Sequence, residues 1–290
     1  MSQVLADAMG SLVNTWRALA LPALAVSVPV GLLTVALFRA TGGGEFLDVL
    51  VNRPETFRTL PEEVFDELAR PFYVATLAAM VVQVAAFIFV AMASHVTVAA
   101  EVAGEHLTGA QASRRAGRRY PVGLAAGLIG VIVVAGLLIA GLTLWLAPAR
   151  AVGTPNAASE LVAALLLVVS VGPGVWVGVA LSMTTPAAAV ESTGILGAMR
   201  RSRQLVRGRW WATAGFLCLV GLLGGIAIQL IQLIALPLAS AGGGTTLLVI
   251  VSALGILAQG LLVAAIAAMC THWYLDLRSR RDGPATADLG

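Results

Sequence analysis

The sequence predicts an all-α integral membrane protein of about six transmembrane helices plus three cytoplasmic amphipathic interfacial helices. Three observations carry that expectation. The chain is 59% hydrophobic with 11% charged residues, and its mean hydropathy is +0.91. A water-soluble domain has roughly a quarter of its residues charged, so this chain has too little charge to coat a surface facing water. Its apolar residues gather into six stretches long enough to cross a hydrocarbon core about 30 Å thick, and its arginines collect at alternate ends of those stretches.

The spans are expected near residues 19–38, 72–94, 122–146, 161–182, 211–236 and 247–274. The last is the longest, which implies tilt or an overhang into the interface. The fourth contains Gly172-Pro173-Gly174, a sequence expected to kink or break it mid-span as a packing feature. Gly123 and Gly127, Gly174 and Gly178, and Gly221 and Gly225 form small-residue faces at i, i+4 spacing, suited to close helix packing. Cys218 and Cys270 both lie in apolar stretches and imply neither a disulfide framework nor a metal site. The opening MSQVLADAMG lacks the basic start of a signal peptide and is expected to be retained.

Orientation follows from arginine, because all 18 basic residues are Arg. Thirteen lie at one set of ends: Arg17 before the first span, Arg114, Arg115, Arg118 and Arg119 between the second and third, five between the fourth and fifth, and Arg278, Arg280 and Arg281 after the sixth. The five on the other side are diluted among acidic residues. The positive side is expected to be the cytoplasm, so both termini face inward.

The linkers have structure of their own. Val4, Leu5, Ala8, Met9, Leu12, Val13 and Trp16 repeat at helical spacing. Leu107, Ala110 and Ala116 do so against two Arg pairs, and Ile195, Leu196, Met199 and Val206 against Arg200, Arg203 and Arg207. Each amphipathic helix ends at a basic–aromatic junction: Trp16-Arg17, Arg119-Tyr120 and Arg209-Trp210-Trp211. Such junctions favour the headgroup level of a membrane. The recurrence suggests one polytopic domain over residues 1–282, built of repeat-like units at about 1–100, 101–185 and 186–282, with a disordered tail at 283–290. In the outer connection of the first unit, Thr59-Leu60-Pro61-Glu62 reads as the start of a short separate helix with Val64, Phe65 and Leu68 on its apolar face.

The strongest candidate site is the segment from Glu191 to Trp210. Pro186 is expected to end the fourth span, and Glu191 to sit near the start of the interfacial helix, where a carboxylate suits the helix dipole. Arg200, Arg201, Arg203, Arg207 and Arg209 form a dense basic run beside Trp210. The plain reading is an orientation and anchoring device. The same residues suit anionic lipid headgroups of the inner leaflet, or a membrane or cytoplasmic protein partner. Tyr274, Asp276 and Arg278 lie where the last span exits, and Asp276 is placed to pair with an interfacial Arg and close the rim. Gln83, Gln229, Gln232 and Gln259 lie within spans and either bond across helices or line a solute path. His95 and His272 have no ligand-spaced partner, and Glu101, Glu105 and His106 are weak as an ion site.

The segment Thr185-Pro186-Ala187-Ala188-Ala189-Val190-Glu191, followed by Gly197-Ala198-Met199-Arg200-Arg201-Ser202 and Leu205-Val206-Arg207-Gly208-Arg209-Trp210-Trp211, has a familiar pattern. With the closing Tyr274-Leu275-Asp276-Leu277-Arg278-Ser279-Arg280, it resembles the membrane domain associated with bacterial glycerophosphoryl diester phosphodiesterases, a group with many stand-alone actinobacterial members. The resemblance covers residues 185–281 by motif and the first half by hydropathy alone. In two-domain relatives the hydrolase is a separate soluble barrel, and its His-Arg and paired acidic motifs are missing here. The resemblance therefore implies a bacterial cell-membrane protein without phosphodiesterase activity.

No phosphate-binding loop, hydrolase elbow, zinc motif or dinucleotide fingerprint occurs. The expectation is a non-catalytic membrane protein with no cofactor, no metal and no nucleic-acid partner, engaging anionic lipid or a cytoplasmic protein through its basic rim. The competing expectation is a transporter or channel subunit for a small solute or lipid.

Overall fold

A computed structural model describes residues 2–43, 46, 49, 55, 56, 60–151, 157–191, 194–240 and 244–283. Among them the fold is all-helical, with no strand. Eight helices can be bounded among the described residues: α1 (Ser2–Thr41), α2 (Glu62–Val102), α3 (Gly109–Ala151), α4 (Ala157–Leu181), α5 (Thr184–Val190), α6 (Ile195–Val206), α7 (Trp210–Ser240) and α8 (Gly244–Asp282). Six segments are long and apolar enough to cross a membrane, on α1, α2, α3, α4 with α5, α7 and α8.

Four helices are far longer than a span needs, α8 with 39 residues among them. With 40, 41 and 43 residues, α1, α2 and α3 each reach about 60 Å at 1.5 Å per residue, twice a hydrocarbon core. The extra length is what the sequence marks as separate interfacial helices. In α1 and α3 the amphipathic turns run straight into the span, because nothing at Trp16-Arg17-Ala18 or at Arg119-Tyr120 breaks the helix. Only the third is a separate helix, α6. There Gly208 takes φ +92, a left-handed conformation that glycine adopts without strain, and the chain turns before Trp210. The outer helix expected near Thr59 is likewise not separate: it is the first turns of α2, carrying Pro71 inside. Pro61 is its N-cap residue, and Thr59 lies outside the described residues, as does the tail beyond 283.

The fourth span breaks between two and three turns later than expected. α4 carries Pro173 within continuous helix, and the chain turns instead at Ser182 and Met183. Gly174 meets α3 closely, since a Cβ there would lie 2.9 Å from Leu138 Cδ2, which is the packing role. Gly123 and Gly127 lie against Met92 and Ile88 of α2, and Gly178 against Val134 of α3. Gly221 and Gly225 face open space, so the third small-residue pair packs no helix among the described residues.

The axis of the bundle is the last third of α2. Residues 92–100 are buried without interruption, the mark of a helix surrounded on all sides. Its polar side chains are satisfied there. Ser94 and Thr97 donate to the carbonyls of Val90 and Ala93 at 2.9 and 2.8 Å. Thr271 Oγ1 donates to Ala267 O, so His95 donates from Nδ1 to Thr271 Oγ1 at 2.8 Å. α1 packs on α8 and α2, α3 on α4 and α2, and α8 also on α2 and α7. Away from this end, large apolar side chains such as Ile132 and Val169 stand 67% and 70% exposed, too much open apolar surface for water. Cys218 is among the exposed side chains rather than the buried ones, and both cysteines are free.

Candidate functional site

The segment singled out by its motif converges on α8 at the basic end of the bundle. α5 is a buried helix of about two turns, with Thr184, Pro186, Ala187, Ala188 and Ala189 out of solvent. Pro186 does not end a span; it sits in the first turn of α5, where its missing N–H is not needed. Glu191 is the C-cap residue of α5, not the start of α6, whose N-cap is Gly194. A carboxylate at a helix C-terminus is disfavoured by the dipole, and cations gather to offset it. Arg119 donates to the carbonyls of Ala189 and Val190 at 2.5 and 3.1 Å, satisfying groups the short helix leaves open.

Around Glu191 a charged network closes. Arg201 Nε donates to Glu191 Oε1 at 3.0 Å, and its Nη2 donates to Asp282. The Tyr274 hydroxyl donates to the same Glu191 oxygen. Arg278 Nε lies 3.8 Å from Glu191 Oε1 and 4.0 Å from Asp282 Oδ2. The four charged side chains are only 15–21% exposed. Burial works against the Arg201 cation, but hydrogen bonds from it to Asp282 and Glu191 outweigh that cost and raise its pKa. Ser202, fully buried, donates to Ala180 O at 2.8 Å and accepts from Met183 N–H at 3.1 Å, tying α6 to the end of α4. Beneath lies the largest apolar cluster, with Met183, Ala198, Leu205, Phe216 and Trp273 in it.

Asp276 does not close the rim. It pairs with Arg280 of its own helix at 2.8 Å. Residues 274, 278 and 282 recur every fourth position and share the face toward α6, whereas 276 is rotated away by half a turn. Asp282 does what was expected of Asp276; it was legible only as the i+4 partner of Arg278.

The arginines of α6 divide into two groups. Arg201 is committed, while Arg200, Arg203, Arg207 and Arg209 are exposed and make no ion pair among the described residues. Leu196, expected on the buried face, is 79% exposed and follows the Arg200, Arg203, Arg207 stripe; the buried face is Ala198, Ser202, Leu205 and Val206. Trp210 is half-buried, stacks edge-on against Trp211 and donates from Nε1 to Trp176 O at 3.3 Å. Trp211, at 83% exposed, is the open ring. Trp16 is also exposed, with the Arg17 guanidinium 5.5 Å from its ring centroid.

The glutamines do not gather. Gln83 and Gln259 are half-buried, Gln229 is exposed on α7, and the side chain of Gln232 lies outside the described residues. None of them lines the clefts at the basic end. Among the described residues no three His, Cys, Asp or Glu side chains are grouped to hold a metal ion.

No curated protein and no solved structure matches this chain. One family model does, over residues 2–277, a range that takes in Glu191, Arg201 and Tyr274 and so the heart of the network. The chain belongs to the family described as a domain of unknown function (DUF7847).

Proposed function

We propose that this is a non-catalytic, multi-pass protein of a bacterial cell membrane, with both termini in the cytoplasm, that binds anionic lipid through the exposed face of α6. The observation that carries the reading is the stripe of Leu196, Arg200, Arg203 and Arg207 running on to Arg209 and Trp211. It holds four cations that make no ion pair among the described residues, flanked by two open apolar side chains. Arginine near an anionic surface contributes on the order of 1 kcal/mol each, and Leu and Trp insert at the headgroup boundary. The division of labour around Glu191 supports it too. Arg201, Arg119 and Arg278 hold the fold, which leaves the outward arginines available for a ligand.

The resemblance to the membrane domain of glycerophosphoryl diester phosphodiesterases belongs to this proposal as well.

The test uses the full chain purified in a neutral detergent. Native mass spectrometry counts retained phosphatidylglycerol for the wild type and for Arg200→Gln/Arg203→Gln/Arg207→Gln/Arg209→Gln. The expected result is a large loss of retained anionic lipid, roughly tenfold or more from several contacts of this size, with phosphatidylethanolamine unchanged. Equal retention by the two proteins would refute the reading.

A further inference from the structure

A second basic feature sits away from α6. Between the end of α2, the turn at 103–108 and the start of α3 lies a cleft of about 370 Å3. Its floor is apolar, formed by Val96, Ala99 and Ala100 of α2 with Ala189 and Val190 of α5. Its rim carries Arg115, Arg118 and Arg119, spaced along one face of α3, with Glu105 opposite them. A Thr108–Gln111 capping box holds the first turn of α3 in place, with Gln111 Oε1 accepting from Thr108 N–H at 2.9 Å.

The three arginines are in different states. Arg119 is bound to the carbonyls that end α5. Arg115 closes its fork on Glu105 through two parallel contacts of 2.8 and 2.5 Å, with both side chains about half exposed. Arg118 is exposed and makes no ion pair among the described residues. A guanidinium fork that holds a carboxylate side-on accepts two oxygens of a phosphate in the same geometry, with more charge to attract it.

We propose that this cleft is a discrete phosphate-binding site, with Arg118 as the first contact and Arg115 recruited when the phosphate displaces Glu105. The Glu105 carboxylate stands on Arg115 where two phosphate oxygens would sit, so it acts as an internal competitor. The floor favours a phospholipid as the source: its phosphate meets the arginines while glycerol and the first methylenes cover Val96, Ala99 and Ala100. A small soluble phosphate ester has the oxyanion without the apolar half. None of these residues belongs to the α6 face, so the two sites stand or fall separately.

The experiment titrates the purified full chain in neutral detergent, by calorimetry, with dihexanoyl phosphatidic acid and with glycerol 3-phosphate. The lipid should bind at least about tenfold more tightly than the ester, because burying methylenes adds to the shared phosphate contact. Arg118→Gln should weaken lipid binding about tenfold, as expected for one lost charge-assisted contact. Glu105→Gln should tighten it severalfold by freeing Arg115. Asp276→Asn changes net charge as Glu105→Gln does, at an ion pair outside the cleft, and should bind as the wild type does. An unchanged melting temperature is expected for Arg118→Gln, since its side chain is exposed and makes no ion pair among the described residues. Wild-type binding by Arg118→Gln, or weaker binding by Glu105→Gln, would overturn the site. Equal affinity for ester and lipid would overturn the lipid as its ligand.

Discussion

Arg200 and Arg201 are adjacent, carry the same charge and have different consequences. The Arg201 side chain is 19% exposed and bridges Glu191 at the end of α5 to Asp282 at the end of α8. Removing one partner of a buried ion pair leaves the others uncompensated, at a cost of 3–5 kcal/mol when burial is complete. With this residual exposure, Arg201→Gln is expected to destabilise by about 2 kcal/mol. Arg200→Gln should stay within about 0.5 kcal/mol of wild type, as exposed changes do. Thermal unfolding of the detergent-solubilised protein measures both, and equal effects would contradict the division. Glu105 offers a pH check. Its hydrogen bond from Arg115 holds the carboxyl below the usual glutamate range. A depressed carboxyl stabilises fully above the unfolded chain's pKa and loses that contribution as pH falls through the lower folded value. Any difference in melting temperature between wild type and Glu105→Gln should therefore be present at neutral pH and vanish in acid. Periodicity alone could not separate Arg200 from Arg201, since both lie on a helix with one polar face. Only the arrival of α8 decides which arginine turns inward.

At the scale of elements, glycine placement makes the sharpest predictions. A Cβ at Gly123 would collide with Met92 of the buried α2 axis, whereas one at Gly221 would meet nothing. Gly123→Ala is expected to cost roughly 1–3 kcal/mol through overpacking. Gly221→Ala should be neutral or stabilise by up to about 1 kcal/mol, because helical alanine is favoured over glycine. Denaturant titration in mixed micelles compares them, and a loss at Gly221 equal to that at Gly123 would show that the third pair packs after all. Gly208→Ala forces a left-handed residue and should cost about 1–2 kcal/mol. These three glycines look alike in the sequence. The apolar stretches were legible because hydropathy is a sum over many residues. Where a helix continues or stops was not, because continuity at Arg119-Tyr120 and the break at Gly208 depend on one backbone dihedral each.

At the scale of the whole molecule, one end of the bundle gathers most of the buried polar and charged groups found among the described residues. The buried stretch of α2, the Glu191–Arg201–Asp282 network, the free arginines of α6 and the Arg118 cleft all lie where thirteen of the 18 arginines collect. That Glu191 and Arg201 belong to one site could be anticipated from the segment they share, whereas the arrival of Tyr274 there could not. The role of Asp282 and the cleft could not, because both arise from contacts between distant parts of the chain. The account depends on that basic end facing the cytoplasm. Cysteine accessibility in intact cells tests it most directly, using a chain with Cys218 and Cys270 replaced and a membrane-impermeant maleimide. Glu62→Cys, at the start of α2, should label in intact cells, and Arg203→Cys should label only after permeabilisation. Labelling of Arg203→Cys in intact cells, with Glu62→Cys protected, would contradict the orientation and with it the proposed function.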